Sequence, residues 1–164
     1  MEAPMRAPIS MLKKALVVPA CLAMFAAGSA QADYLPIDRI DDVLNTAASY
    51  GFTHYEEIEI KSRERTEVEG WLDDEWYADV EFALDSGETV KEERKRLITG
   101  AWGMSEEDVR QALAVAQAEG MTDFEQIDID KSGMIEVEGR DQDGRELEIK
   151  LRQGSDQASA IERD

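Results

Sequence analysis

The sequence predicts an α+β protein of two tandem units, each a short helix packed on one face of a three- to four-stranded antiparallel sheet. Three observations lead there. The chain repeats itself: residues 51–70 and 120–139 align without gaps, and nine of the twenty positions are identical, among them Gly51/Gly120, Ile58/Ile127, Ile60/Ile129 and the Glu-Val-Glu-Gly runs at 67–70 and 136–139. A register held over 69 residues marks a duplicated structural unit. Apolar residues at helical spacing precede each repeat, and aliphatic residues at period two run through and beyond it.

Residues 1–32 stand apart from the fold. Arg6, Lys13 and Lys14 make a positive start, 15–27 is an apolar run, and Ala30-Gln31-Ala32 is a small-x-small cleavage site. The run of 13 residues falls short of the roughly 20 that a spanning helix needs. The expectation is a signal peptide cleaved after Ala32, a periplasmic or secreted protein, and no stable membrane insertion after cleavage. Cys21 sits within the leader, so the remaining 132 residues carry no cysteine. That excludes a disulfide framework, a thiol nucleophile and a cysteine metal site. The same 132 residues hold 15 Lys and Arg against 36 Asp and Glu, a net charge of −21. Such a surface repels phosphate backbones and anionic lipid, so nucleic acid is excluded as a partner. It attracts basic segments or divalent cations instead.

The first unit is expected over residues 33–97 and the second over 98–153, with a disordered tail at 154–164. In unit one, Pro36 and a capping Asp38 start a helix that buries Ile40, Val43, Leu44 and Ala47 and stops at Gly51. Ile58 and Ile60, then Thr66 and Val68, then Val80, Phe82 and Leu84 supply three alternating strands. The charged stretch Lys91–Arg96 is a candidate fourth. In unit two, Ser105 caps a helix with Val109, Leu113 and Ala116 inward, and Gly120 ends it. Ile127 and Ile129, Ile135 and Val137, and Leu147, Ile149 and Leu151 alternate with acidic residues across turns at Ser132-Gly133 and Asp143-Gly144. One face of each sheet is then aliphatic and the other charged. The second hairpin of unit one reads as two residues longer than its counterpart, and it holds Trp71, Trp76 and Tyr77.

The capped helix, the run Gly-hydrophobic-Thr-x-aromatic-Glu-x-Ile-x-Ile, the x-Glu-Val-Glu-small strand, the Asp-x-Asp-Gly turn and the Glu-Leu-Glu-Ile strand together resemble the PepSY domain, named for peptidase propeptides. Ser105–Gln153 matches closely, and the first unit less well because it lacks the Asp-Gly turn. Where members of that family turn through Asp-Pro-x-Thr-Gly into a further strand, this chain has Gln153-Gly154-Ser155, so the last strand of unit two is expected to be missing. The resemblance implies a small α+β domain outside the cytoplasmic membrane. It also implies a role in restraining peptidases or binding protein segments, with no catalytic set and no cofactor.

Asp128, Asp130 and Ser132, with Gly133, imitate the first part of a calcium loop, but Gly139 stands where a bidentate Glu should close it, and a plain β-turn accounts for the residues better. His54 is the sole histidine and no serine sits in a nucleophile motif, so a hydrolase built on it ranks last. Trp71, Trp76 and Tyr77 are the candidate partner-binding residues, weighed against a packing role at the junction of the units. The function expected from all this is a non-catalytic exported protein that binds a protein or peptide, with basic segments favoured. The alternative is a divalent-cation-responsive envelope protein using Asp128/Asp130 and Asp141/Asp143. No oligomeric state follows from the sequence.

Overall fold

In the computed structural model, residues 33–164 are described, and the leader, Cys21 and the cleavage point after Ala32 lie outside them. The chain runs β1 (Leu35–Pro36), a 3-10 turn (Ile37–Arg39), α1 (Ile40–Tyr50), β2 (His54–Ser62), β3 (Arg65–Trp71), β4 (Trp76–Ala83), β5 (Thr89–Arg96), α2 (Glu106–Ala118), β6 (Met121–Ile129), β7 (Met134–Asp141), β8 (Glu146–Arg152) and β9 (Ala158–Arg163). Among the described residues, no helix is long and apolar enough to cross a membrane.

Two separate small sheets are not what forms. All nine strands belong to one antiparallel sheet in the order β5-β4-β3-β2-β6-β7-β8-β9, with β1 added to β6. The joint is β2 against β6, with Ile58 opposite Ile127, Glu57 opposite Asp128 and Glu59 opposite Gln126. Exchanging each residue for the one 69 positions away maps this register onto itself. The same exchange converts Leu35 opposite Phe124 into the bridge between Met104 and Tyr55. The segment leading into each helix therefore docks on the first long strand of the other half. The described residues accordingly cluster as one compact unit.

The offset of 69 also holds outside the aligned stretch. Val68 faces Val80 as Val137 faces Ile149, and Trp71 faces Tyr77 as Arg140 faces Glu146. The two second hairpins are therefore equal in length, and the tryptophan hairpin is not an insertion. Its turn closes through Asp73, whose carboxylate accepts from the amides of Glu75 and Trp76, where β7–β8 uses Asp141 in the same way toward Asp143 and Arg145. The tail expected to be disordered forms β9, where Ile161 faces Ile149 just as Glu92 of β5 faces Val80. A turn through Gly154 (φ +75°) supplies the reversal without the expected motif. Each edge strand is then tied to a helix C-terminus: Arg94 donates to the Tyr50 hydroxyl at 2.6 Å, and Arg163 to the Glu119 carbonyl at 2.8 Å.

Helix starts differ between the halves. Ser105 and Asp108 form a reciprocal capping box on α2, with bonds of 3.2 and 2.9 Å. Asp38 does not cap α1, because it lies inside the 3-10 turn and Arg39 occupies the cap position without a side-chain bond. Both helices lie on the same side of the sheet. Ile40, Val43, Leu44, Ala47, Val109, Ala112, Leu113 and Ala116 pack against Ile58, Val68, Val80, Ile127, Val137 and Ile149 in one core. Each fully buried aliphatic side chain there contributes about 2 kcal/mol.

The repeated Glu-Val-Glu-Gly run has a steric reason. β2 and β6 each bulge between Tyr55 and Glu57 and between Phe124 and Gln126. The bulges bring the carbonyls of His54 and Asp123 to 2.1 Å from where a Cβ on Gly70 or Gly139 would stand. Only glycine fits under either bulge.

Candidate functional site

With both helices on one face, strand alternation turns every second side chain to the other. The register stacks those side chains into two rows across the sheet. One runs Glu93, Asp79, Glu69, Glu57, Asp128, Glu136, Lys150 and Ala160, and the next Lys91, Glu81, Glu67, Glu59, Gln126, Glu138, Glu148 and Glu162. Twelve of these sixteen residues are carboxylates, on strands about 4.8 Å apart. Like charges directly opposite one another destabilise a sheet, so this face carries a repulsion that the fold must hold.

The chain's own cations relieve part of it. Lys61 Nζ bridges Glu59 and Glu67 at 2.8 and 2.9 Å, and Lys150 Nζ bridges Glu148 and Glu136 at 2.5 and 3.1 Å. Arg65 holds Glu81 at 2.9 Å. The centre is left uncompensated: among the described residues, Glu57, Glu69, Asp128 and Glu138 make no ion pair. Burial, then the fields of Glu69, Glu59 and Asp128, push the Glu57 carboxyl up to about 7. Burial, then Glu136, Glu125 and Glu148, push Glu138 up to about 7 as well. Asp128 is raised by burial and by Glu136.

The aromatic candidates separate. Trp71 is 1% exposed and Tyr77 5%, whereas Trp76 is 42% exposed. Trp71 and Tyr77 alternate onto the carboxylate face and pack edge-on there, with centroids 5.6 Å apart. The Tyr77 hydroxyl donates to Glu69 at 2.8 Å, and the Lys95 ammonium lies 4.5 Å above the Tyr77 ring. Trp76 points to the helix-bearing side at the end of β4. The three therefore do not form one exposed aromatic patch, and two of them are packing residues.

Asp128, Asp130 and Ser132 do not converge either. Asp128 stands on the sheet face opposite Glu57. The Asp130 carboxylate accepts from the Ser132 amide and hydroxyl, each at 2.7 Å, and from the Met134 amide at 3.0 Å, which makes it a turn residue. Asp141 is likewise engaged by Arg145. Among the described residues, no group of three or more His, Cys, Asp or Glu is arranged to hold a metal ion. His54 Nδ1 lies 3.2 Å from the neighbouring Thr53 hydroxyl.

The central carboxylates Glu57, Glu69 and Glu138 were missed as a site in the sequence because each lies among many similar residues. The signal that could have found them is the β2–β6 register, which brings together two rows that are harmless apart.

No family model and no curated protein matches the chain. A solved structure, a candidate lipoprotein of Clostridium difficile 630, is similar to it at 16% identity over 83% of this chain and 98% of that one, with a TM-score of 0.46.

Proposed function

We propose that this is an exported, non-catalytic, PepSY-like protein that binds a protein or peptide segment in the cell envelope, with restraint of a peptidase as the specific form of that role. The observation that carries the reading is the sheet face opposite the helices: eight strands wide, side chains half-exposed, and not packed into the core that the helices cover. A sheet with one face packed and one solvated is ordinary. A solvated face of this width that concentrates unmatched charge at its centre is what a complementary partner surface would use. Trp71 and Tyr77 pack against each other on that face at one corner, and Trp76 lies off it. The leader supports export, and the repeated motifs support the family resemblance.

A photo-crosslinking side chain placed at Gln126, in the middle of the open face, tests this against one placed at Glu107 on α2. Expected is a discrete protein adduct from position 126 in intact envelopes and none from position 107. Adducts from 107 alone, or from neither position, contradict it.

A further inference from the structure

The open face holds a clue to the chemistry of its partner in the way it seats cations of its own. Lys61 and Lys150 each place one ammonium between carboxylates of adjacent strands, Glu59 with Glu67 and Glu136 with Glu148. Lys61 reaches its seat from the end of β2, and Lys150 from its place on β8 opposite Glu136. Beside them are two arrangements of the same kind with no cation in them: Glu57 opposite Glu69, next to the Lys61 seat on β2 and β3, and Asp128 diagonal to Glu138 on β6 and β7. All four carboxylates are without an ion pair among the described residues, and neighbouring side chains give only the Tyr77 hydroxyl to Glu69 and a Gln126 amide at 3.4 Å to Asp128.

We infer that the centre of the open face is a docking surface for a lysine- or arginine-rich polypeptide segment, two of whose cations enter the Glu57/Glu69 and Asp128/Glu138 seats. This rests on the protein-binding reading and gives it a partner class. Three features of the face favour a basic polypeptide over other occupants. The face is complementary in charge only to a cation. The seats lie about two strand spacings apart, roughly 10 Å, a span that two long side chains of one segment reach together. The chain already fills two such seats with lysine and none with a convergent set of three metal ligands. Burial and crowding hold Glu57 and Glu138 in partly protonated form near neutrality, and an arriving cation would restore their charge. Neutralising that repulsion is the local gain that would distinguish this patch from the rest of an acidic surface.

The test is fluorescence anisotropy of labelled octalysine against the full chain at physiological ionic strength. Three proteins are compared: the unmodified chain, Glu57→Gln/Glu69→Gln, and Asp38→Asn/Glu107→Gln, which removes two carboxylates, and at least as much charge, from the helix side. Saturable binding is expected, weakened about tenfold by the open-face pair and less than twofold by the helix-side pair. Because the open-face pair removes repulsion, its melting temperature should not fall, so weaker binding cannot be laid to unfolding. Equal weakening by both pairs would mean attraction to net charge alone and overturns the inference, as does the absence of binding. A crosslinked envelope partner that binds the Glu57→Gln/Glu69→Gln protein undiminished would overturn the cation seats while leaving the protein-binding reading in place.

Discussion

Two corners of the open face occupy equivalent backbone positions and are built from different chemistry. At one, Trp71 is buried against Tyr77, and Lys95 covers the tyrosine ring. At the other, position 140 is arginine rather than tryptophan, and its guanidinium lies 4.2 Å over the ring of Tyr34. Glu146 replaces Tyr77 there, and Gly103 stands at the position equivalent to Tyr34. The first corner is sealed by aromatic packing, the second by a cation on one ring at the edge of the strand. Beneath both, the bulge, the glycine and the cross-strand register are the same. The backbone half of the repeat is therefore under a steric constraint, and the side chains of the open face are free to diverge. Divergence on a common frame is where a binding surface has room to be specific.

The largest expected effect comes from emptying the sealed corner. Trp71→Ala should destabilise the protein by about 3–5 kcal/mol, and Arg140→Ala by about 1 kcal/mol, both read from urea unfolding. Equal losses would dissolve the contrast between the corners. Next, Gly70→Ala and Gly139→Ala should each lose about 3 kcal/mol, because each added Cβ would meet a carbonyl. Gly51→Ala, which meets nothing but has φ +123°, should lose about 1–2 kcal/mol. A tolerated substitution at 70 or 139 would refute the shared bulge.

The pH dependence sharpens the comparison between the centre of the face and its flanks. Glu57 and Glu138 have folded values of about 7 against 4.5 for the unfolded group. The folded protein binds more protons between those values, so their contribution is most favourable below about 4.5 and is lost as pH rises through 7. The melting temperature should therefore be higher at pH 6 than at pH 8 at equal ionic strength, and Glu57→Gln/Glu138→Gln should shrink that difference. Glu148, lowered chiefly by its bond from Lys150, should not contribute to it in that direction. The smallest effect is expected from divalent ions: calcium and magnesium at equal ionic strength should raise the melting temperature slightly and alike, by screening. A rise specific to calcium that is lost in Asp128→Ala/Asp130→Ala would favour the ion-sensing alternative.

The helices, the six strands that alternate clearly and the 69-residue register were legible because burial leaves a period in the sequence. Ile58 and Ile127 alternate in the same way whether their strands lie at an edge or pair with each other, so nothing local announced that two sheets would merge. β5 and β9 are edge strands with no buried side chain, and β9 left no pattern to set against disorder. Trp71 and Tyr77 stand out in the sequence as candidates either for binding or for packing at the junction, because their hairpin reads as longer than its counterpart; only the register shows that it is not. The carboxylates were visible in composition, and their meaning came only with the rows.

The most direct measurement is an amide-resolved NMR titration of the full chain with octalysine. Shift changes are expected to concentrate at Glu57, Glu69, Asp128 and Glu138 and their strand neighbours, with α1 and α2 unmoved. Changes spread over the acidic helix surfaces, or confined to them, would contradict it.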